Sequence, residues 1–179
     1  MAFGTKYRCE FKDNAGLLWK WDFEWDGYAG SVIDMKAAGD PMEYEPLSDG
    51  DDLYEAPVRG TKATLRVLAT SLQQYAIFST VNPFEVKVNI YQGGNLYFSG
   101  WVQPGSIDEA YNDYPFVVAI TATDGLGYLK DIDYTPTTTG RQGELSILIN
   151  DILSKIQATG FNEIVNIYEA NMASTTDDS

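Results

Sequence analysis

The chain of 179 residues contains no histidine and only one cysteine. The commonest general base near neutral pH and the commonest zinc ligand are thus both missing. Nucleophilic catalysis would have to recruit Lys or a carboxylate as its base. A lone Cys9 excludes an internal disulfide. Cations are scarce too: 12 Lys and Arg stand against 26 Asp and Glu, a net charge of -14. That excess repels phosphate backbones, whose binding needs clustered Lys and Arg, and it disfavours an anionic membrane surface. No apolar run approaches the roughly 20 residues of a membrane-spanning helix. Met1–Lys6 lacks the charged-then-apolar order of a signal peptide. Neither nucleic acid nor membrane is therefore expected as a partner, and synthesis and retention in a cytoplasm until assembly are expected.

Apolar and aromatic residues are plentiful, at 44% and 13%, which separates the chain from the composition of disordered proteins. Their spacing is that of strands. Tyr7, Cys9 and Phe11 alternate with Lys6, Arg8, Glu10 and Lys12, the period-2 pattern of a half-buried strand. Asp13-Asn14-Ala15-Gly16 supplies a turn, and Leu17, Trp19, Trp21, Phe23 and Trp25 then alternate with Leu18, Lys20, Asp22 and Glu24. The two segments predict an antiparallel hairpin. Further strands are expected at Ser31–Ala37, near Met42–Glu45 and at Thr61–Leu68, with Pro46–Pro57 as an irregular acidic connection. Ser71–Phe78 fits a helical turn or two. Phe84, Val86, Val88 and Ile90 lead into Gly93-Gly94-Asn95 and back through Leu96–Val102, a second hairpin. After a polar link over 103–115, Phe116–Thr123 completes the sheet. From Thr135–Gly140 onward the period changes. Leu145, Leu148, Ile149, Ile152, Leu153 and Ile156 follow helical spacing, and Gly160 sits at a C-terminal capping position, which predicts an amphipathic helix over 144–158. Phe161–Tyr168 could be one more strand, and Ala173–Ser179 reads as a frayed end.

Four groups of residues invite a chemical reading. Asp49-Gly50-Asp51-Asp52, with Glu55, has the carboxylates that calcium selects but not the spacing of a calcium loop, so a solvated acidic loop is favoured. Cys9 falls on the inward face between Tyr7 and Phe11, where a thiol is an inert small hydrophobe. Asp124-Gly125-Leu126-Gly127 contains G-x-G without the remainder of a nucleotide-binding loop and reads as a turn. Trp19, Trp21 and Trp25 share a predicted face with Leu17 and Phe23. That face is expected to be sheet core or subunit interface. Together with Trp101 these indoles are also the candidates for a flat sugar-binding platform, which requires some of them exposed and coplanar. A carboxylate-dependent hydrolase would need two acids converging in a cleft.

Three stretches carry a resemblance: Tyr7-Arg8-Cys9-Glu10-Phe11, the segment from Ile90 through Phe98-Ser99-Gly100-Trp101-Val102, and Ala122-Thr123-Asp124-Gly125-Leu126-Gly127-Tyr128-Leu129-Lys130. They resemble structural proteins of phages and prophages of gut Bacteroidetes. The middle stretch is also similar to the barrel hairpins of baseplate hub (tail-tip) proteins. In hubs a strand ending in Ala-x-Asp typically leads to a helix opening the next module, as Ile147–Gln157 would here. The hub family usually continues through further modules, so this chain is either a fragment or similar in architecture only. The resemblance implies a virion tail or baseplate part, assembled in the host cytoplasm. It would act through protein-protein assembly as a homo-oligomer or with other tail proteins, with no cofactor, no small-molecule substrate and no enzymatic activity.

The expected fold is therefore mainly β, an antiparallel barrel or sandwich of hairpins over 1–134, with one amphipathic helix in a smaller α+β segment over 135–179. A tail structural protein is the expected function, and a carbohydrate-binding module is the alternative.

Overall fold

A computed structural model describes residues 2–47, 60–105, 107–109 and 113–126. The helix expected over 144–158, the strand at Phe161–Tyr168 and the acidic residues Asp49–Asp52 and Glu55 lie outside the described residues.

Among the described residues eight strands follow one another: β1 (Phe3–Lys12), β2 (Leu18–Asp26), β3 (Ile33–Leu47), β4 (Gly60–Ala69), β5 (Val86–Gln92), β6 (Asn95–Val102), β7 (Asp108–Glu109) and β8 (Phe116–Thr123). The order in the sheet is β4-β3-β1-β2-β5-β6-β8-β7, and pairing of β4 with β8 closes seven of the strands into a barrel. Both expected hairpins form. β1 and β2 pair around the turn at 13–16, and β5 and β6 pair around Gly93 and Gly94, both of positive φ.

The barrel is not antiparallel throughout, as the sequence had suggested. β1 and β3 run parallel, with Tyr7, Arg8 and Cys9 opposite Ile33, Asp34 and Met35. Seven is odd, and a closed ring of alternating directions needs an even number of strands. One parallel pair is the geometric consequence. That seam and the β6–β8 seam, which consists of Trp101↔Thr123 and Val102↔Ala122, are both short. The molecule therefore combines a four-stranded sheet (β1, β2, β5, β6) and a three-stranded one (β3, β4, β8), joined at two narrow seams.

Several local expectations need correction. The segments expected at 31–37 and 42–45 are one strand, β3, whose pairing with β4 shifts register between Ala37 and Met42. Pro46, expected to open a loop, lies within β3 opposite Thr61. Beyond Met35 no pairing between β3 and β1 exists, so a proline without an N–H leaves no ladder bond unmade on that side. Phe84, expected in β5, precedes it with a left-handed φ of 63°. The polar link over 103–115 holds the two-residue β7.

Alternation fills the barrel as expected. Cys9, Trp21, Phe23, Leu65, Val67, Val88, Ile90, Val118 and Ile120 are wholly buried. The helical turn expected at 71–78 appears as a 3-10 helix, Ala76–Thr80, in the β4–β5 connection. It plugs one end: the Phe78 ring lies 5.4 Å from Tyr7, 5.1 Å from Phe23 and 5.3 Å from Trp25. Tyr75 beside it donates its hydroxyl to the Leu68 carbonyl at 3.3 Å. The sheet wall leaves no room for a side chain at Gly100. There a Cβ would overlap the Thr123 carbonyl oxygen and come within 2.5 Å of the Phe98 ring.

Candidate functional site

At the end opposite the Phe78 plug, an aromatic cluster forms the mouth of the barrel. It begins with the β1–β2 turn. The Asp13 carboxylate accepts the backbone N–H groups of Ala15 and Leu17, each at 2.9 Å, and the Trp19 indole N–H at 3.1 Å. These bonds favour the charged form, the Trp19 bond most, and hold the Asp13 carboxyl below the usual carboxylate range. Trp19 is thereby fixed parallel to Phe11, with ring centres 6.5 Å apart. Its edge meets Tyr97 at 5.2 Å, and Tyr97 in turn meets Tyr44 of β3 at 5.5 Å.

Tyr97 reaches this cluster through a backbone irregularity. In the β5–β6 ladder Ile90 faces Phe98 and Tyr91 faces Leu96, so Tyr97 is the extra residue of a β-bulge. A bulge re-aims the side chain that it carries. Phe98 points into the barrel while its neighbour Tyr97 closes over the mouth. Tyr97 stays 46% and Tyr44 39% exposed, and Leu17, Leu18 and Leu96 are also exposed. Sequence reasoning missed Tyr44 and Tyr97, because no glycine marks the bulge and period-2 counting gives neighbouring residues opposite faces.

The tryptophans singled out from the sequence do not form a platform. Trp19 and Trp25 are 9% exposed and Trp21 is fully buried. They belong to the barrel core, as the period-2 pattern on β2 requires, whereas Leu17 lies outside the strand and is exposed. Trp101 is not with them. It lies on the outer surface of β6 under Phe3 at 5.6 Å and Phe84 at 5.4 Å, only 2% exposed. The exposed, coplanar indoles that a sugar platform requires are absent from these four positions.

A second cluster runs across the outer face of the four-stranded sheet. Arg8, Asp22, Asn89 and Ser99 are successive cross-strand neighbours on β1, β2, β5 and β6. Asp22 is buried, and its carboxylate takes Arg8 Nε at 2.6 Å and Lys20 Nζ at 2.9 Å. Ser99 donates to Asn89 at 2.8 Å. Lys20 also lies over the Tyr91 ring, 4.3 Å from its centre. Next to this row, burial raises the Glu24 carboxyl above its ordinary value, and a hydrogen bond from Asn89 partly offsets the shift. Every charge in the row meets a partner, so it acts as a polar clasp holding four strands in register. Among the described residues no group of three or more Cys, Asp or Glu side chains could hold a metal, and no helix is long and apolar enough to cross a membrane.

Cys9 is wholly buried, and burial, with the nearby charge of Glu10, pushes its thiol up to about 12. A folded value above the ordinary 9.0 favours the protonated thiol in the native state. The resulting stability is fully present below the unfolded value and is lost as pH rises from about 9 towards 12. We expect Ellman's reagent to leave Cys9 unmodified in the native protein at pH 8 and to modify it fully in denaturant. Rapid native labelling would show that the thiol is accessible.

The Asp124 turn closes the barrel at this same end. Its carboxylate accepts the Thr61 backbone N–H at 2.7 Å and the Thr61 hydroxyl at 3.0 Å, and its own N–H donates to the Thr61 carbonyl at 3.1 Å. This pins the end of β8 to the start of β4. No family model, curated protein or solved structure matches the chain.

Proposed function

We propose that this protein is a structural assembly subunit, a component of a phage-type tail or baseplate that works by binding other proteins. The observation that carries the assembly reading is the barrel mouth. Tyr44 and Tyr97 meet there with their rings partly exposed, and Leu17, Leu18 and Leu96 are exposed next to Trp19 and Tyr97 in sequence, while the barrel interior is filled by side chains. Clustered exposed aromatic and aliphatic groups are typical of surfaces that another protein covers. The tail assignment rests on the resemblance of the Tyr7–Phe11, Ile90–Val102 and Ala122–Lys130 segments. The acidic balance keeps the free subunit soluble and favours basic neighbours.

The test is light scattering on the purified chain, alone and co-expressed with the products of adjacent genes. A stable complex is expected, weakened by at least about tenfold in Leu96→Lys. A chain that stays monomeric and unpartnered in every combination would overturn the reading.

A further inference from the structure

An interior strand of a closed barrel has a neighbour on each side, but among the described residues Asn95–Ser99 of β6 have only one. β8 pairs with β6 at Val102 and Trp101, and in continuing it would run beside Gly100 and Ser99. It does not continue. The bonds from Asp124 to Thr61 draw the chain towards β4, Leu126 donates its N–H to the Asp124 carboxylate at 3.0 Å, and Gly125 takes a φ of 87°. Among the described residues, Asn95–Ser99 pair with β5 alone. The unpaired edge borders the mouth, beside exposed Leu96 and Tyr97, with Tyr44 5.5 Å from Tyr97 and 6.0 Å from Phe98.

We propose that this edge of β6 receives a strand from a different protein, an extended segment in which apolar and basic side chains alternate. Unpaired strand edges capture strands by backbone hydrogen bonding, and pockets beside them select alternate side chains. The inward side chains of the added strand would lie on Tyr44, Tyr97 and Phe98, and its outward ones would face solvent. Basic character follows from charge. The subunit carries -14, and Asp13 and Asp124 lie at this end of the barrel. A second copy would bring the same negative charge to the contact and be repelled. This inference rests on the assembly reading and names the partner surface within it.

The experiment titrates the full chain with a short peptide of alternating lysine and valine, followed by tryptophan fluorescence and calorimetry. Trp19, which packs against Tyr97, reports on the mouth. Binding is expected, weaker by at least about tenfold with Tyr97→Ala and weaker again when salt rises from about 50 to about 500 mM. N-methylation of alternate peptide amides deletes backbone donors without changing charge, and it is expected to abolish binding. Val117→Ala, on the outer surface of β8, should bind as the parent does. Equal binding of the N-methylated peptide, indifference to Tyr97→Ala, displacement by a neutral oligosaccharide, or self-association through the mouth would each overturn the proposal. If the peptide fails while a co-expressed complex survives Tyr97→Ala, the assembly reading stands and this inference falls.

Discussion

Trp21→Ala is expected to cost about 3–5 kcal/mol of folding stability, the range for emptying a buried aromatic site. Trp21 is the largest fully buried side chain, and it is ringed by the core of the four-stranded sheet, with Phe11 edge-on at 5.1 Å. Domains of this kind hold only about 5–15 kcal/mol in total, so the loss is a large fraction of the whole. Trp21→Phe should behave differently. The Trp21 indole N–H is buried without a hydrogen-bond partner. An orphan donor costs about 1–3 kcal/mol, and phenylalanine removes it together with part of the ring. The two effects oppose each other, so Trp21→Phe should stay within about 1 kcal/mol of the parent. Urea unfolding of both variants checks this. If Trp21→Phe is as damaging as Trp21→Ala, the indole N–H has a partner or the packing of the larger ring decides.

The second large effect belongs to Gly100. A methyl group there would collide with the Thr123 carbonyl oxygen and the Phe98 ring. The ring can turn aside, but the carbonyl belongs to the backbone of the two-pair seam between β6 and β8. Gly100→Ala is expected to cost at least about 2 kcal/mol, within the range for forced overpacking. Hydrogen exchange should show where the cost falls. Faster exchange is expected along the β6–β8 seam while the β1–β2 hairpin keeps its protection. Adding Phe98→Leu frees the space beside the ring but leaves the carbonyl in place, so it should not restore stability. Full rescue by Phe98→Leu would show that the ring contact alone forbids a side chain.

These two positions also separate local information from global. That Trp21 is core is legible from β2 alone, because a strand gives every second residue to one face and Trp19, Trp21, Phe23 and Trp25 occupy it. Gly100 carries no such signal. Its need for a bare Cα comes from β8, a strand distant in sequence that approaches it only after the barrel has closed. Trp101, next in sequence, shows the same limit. Its outward direction follows from alternation, but its cover comes from Phe3 and Phe84, brought from the chain start and from the β4–β5 connection.

Side-chain period, turn residues and charge act over a few neighbouring positions, so the sequence by itself determined most of the strands, both hairpins, the buried face of β2 and the buried thiol, and the acidic character. Strand order, the parallel β1–β3 seam, the bulge at Tyr97 and the edge of β6 that is unpaired among the described residues were decided by closure. Closing seven strands into a ring is a condition on all of them at once, and no local pattern records which pair must yield. The mouth, where Tyr44 and Tyr97 meet from strands far apart in the chain, exists only once that condition is met.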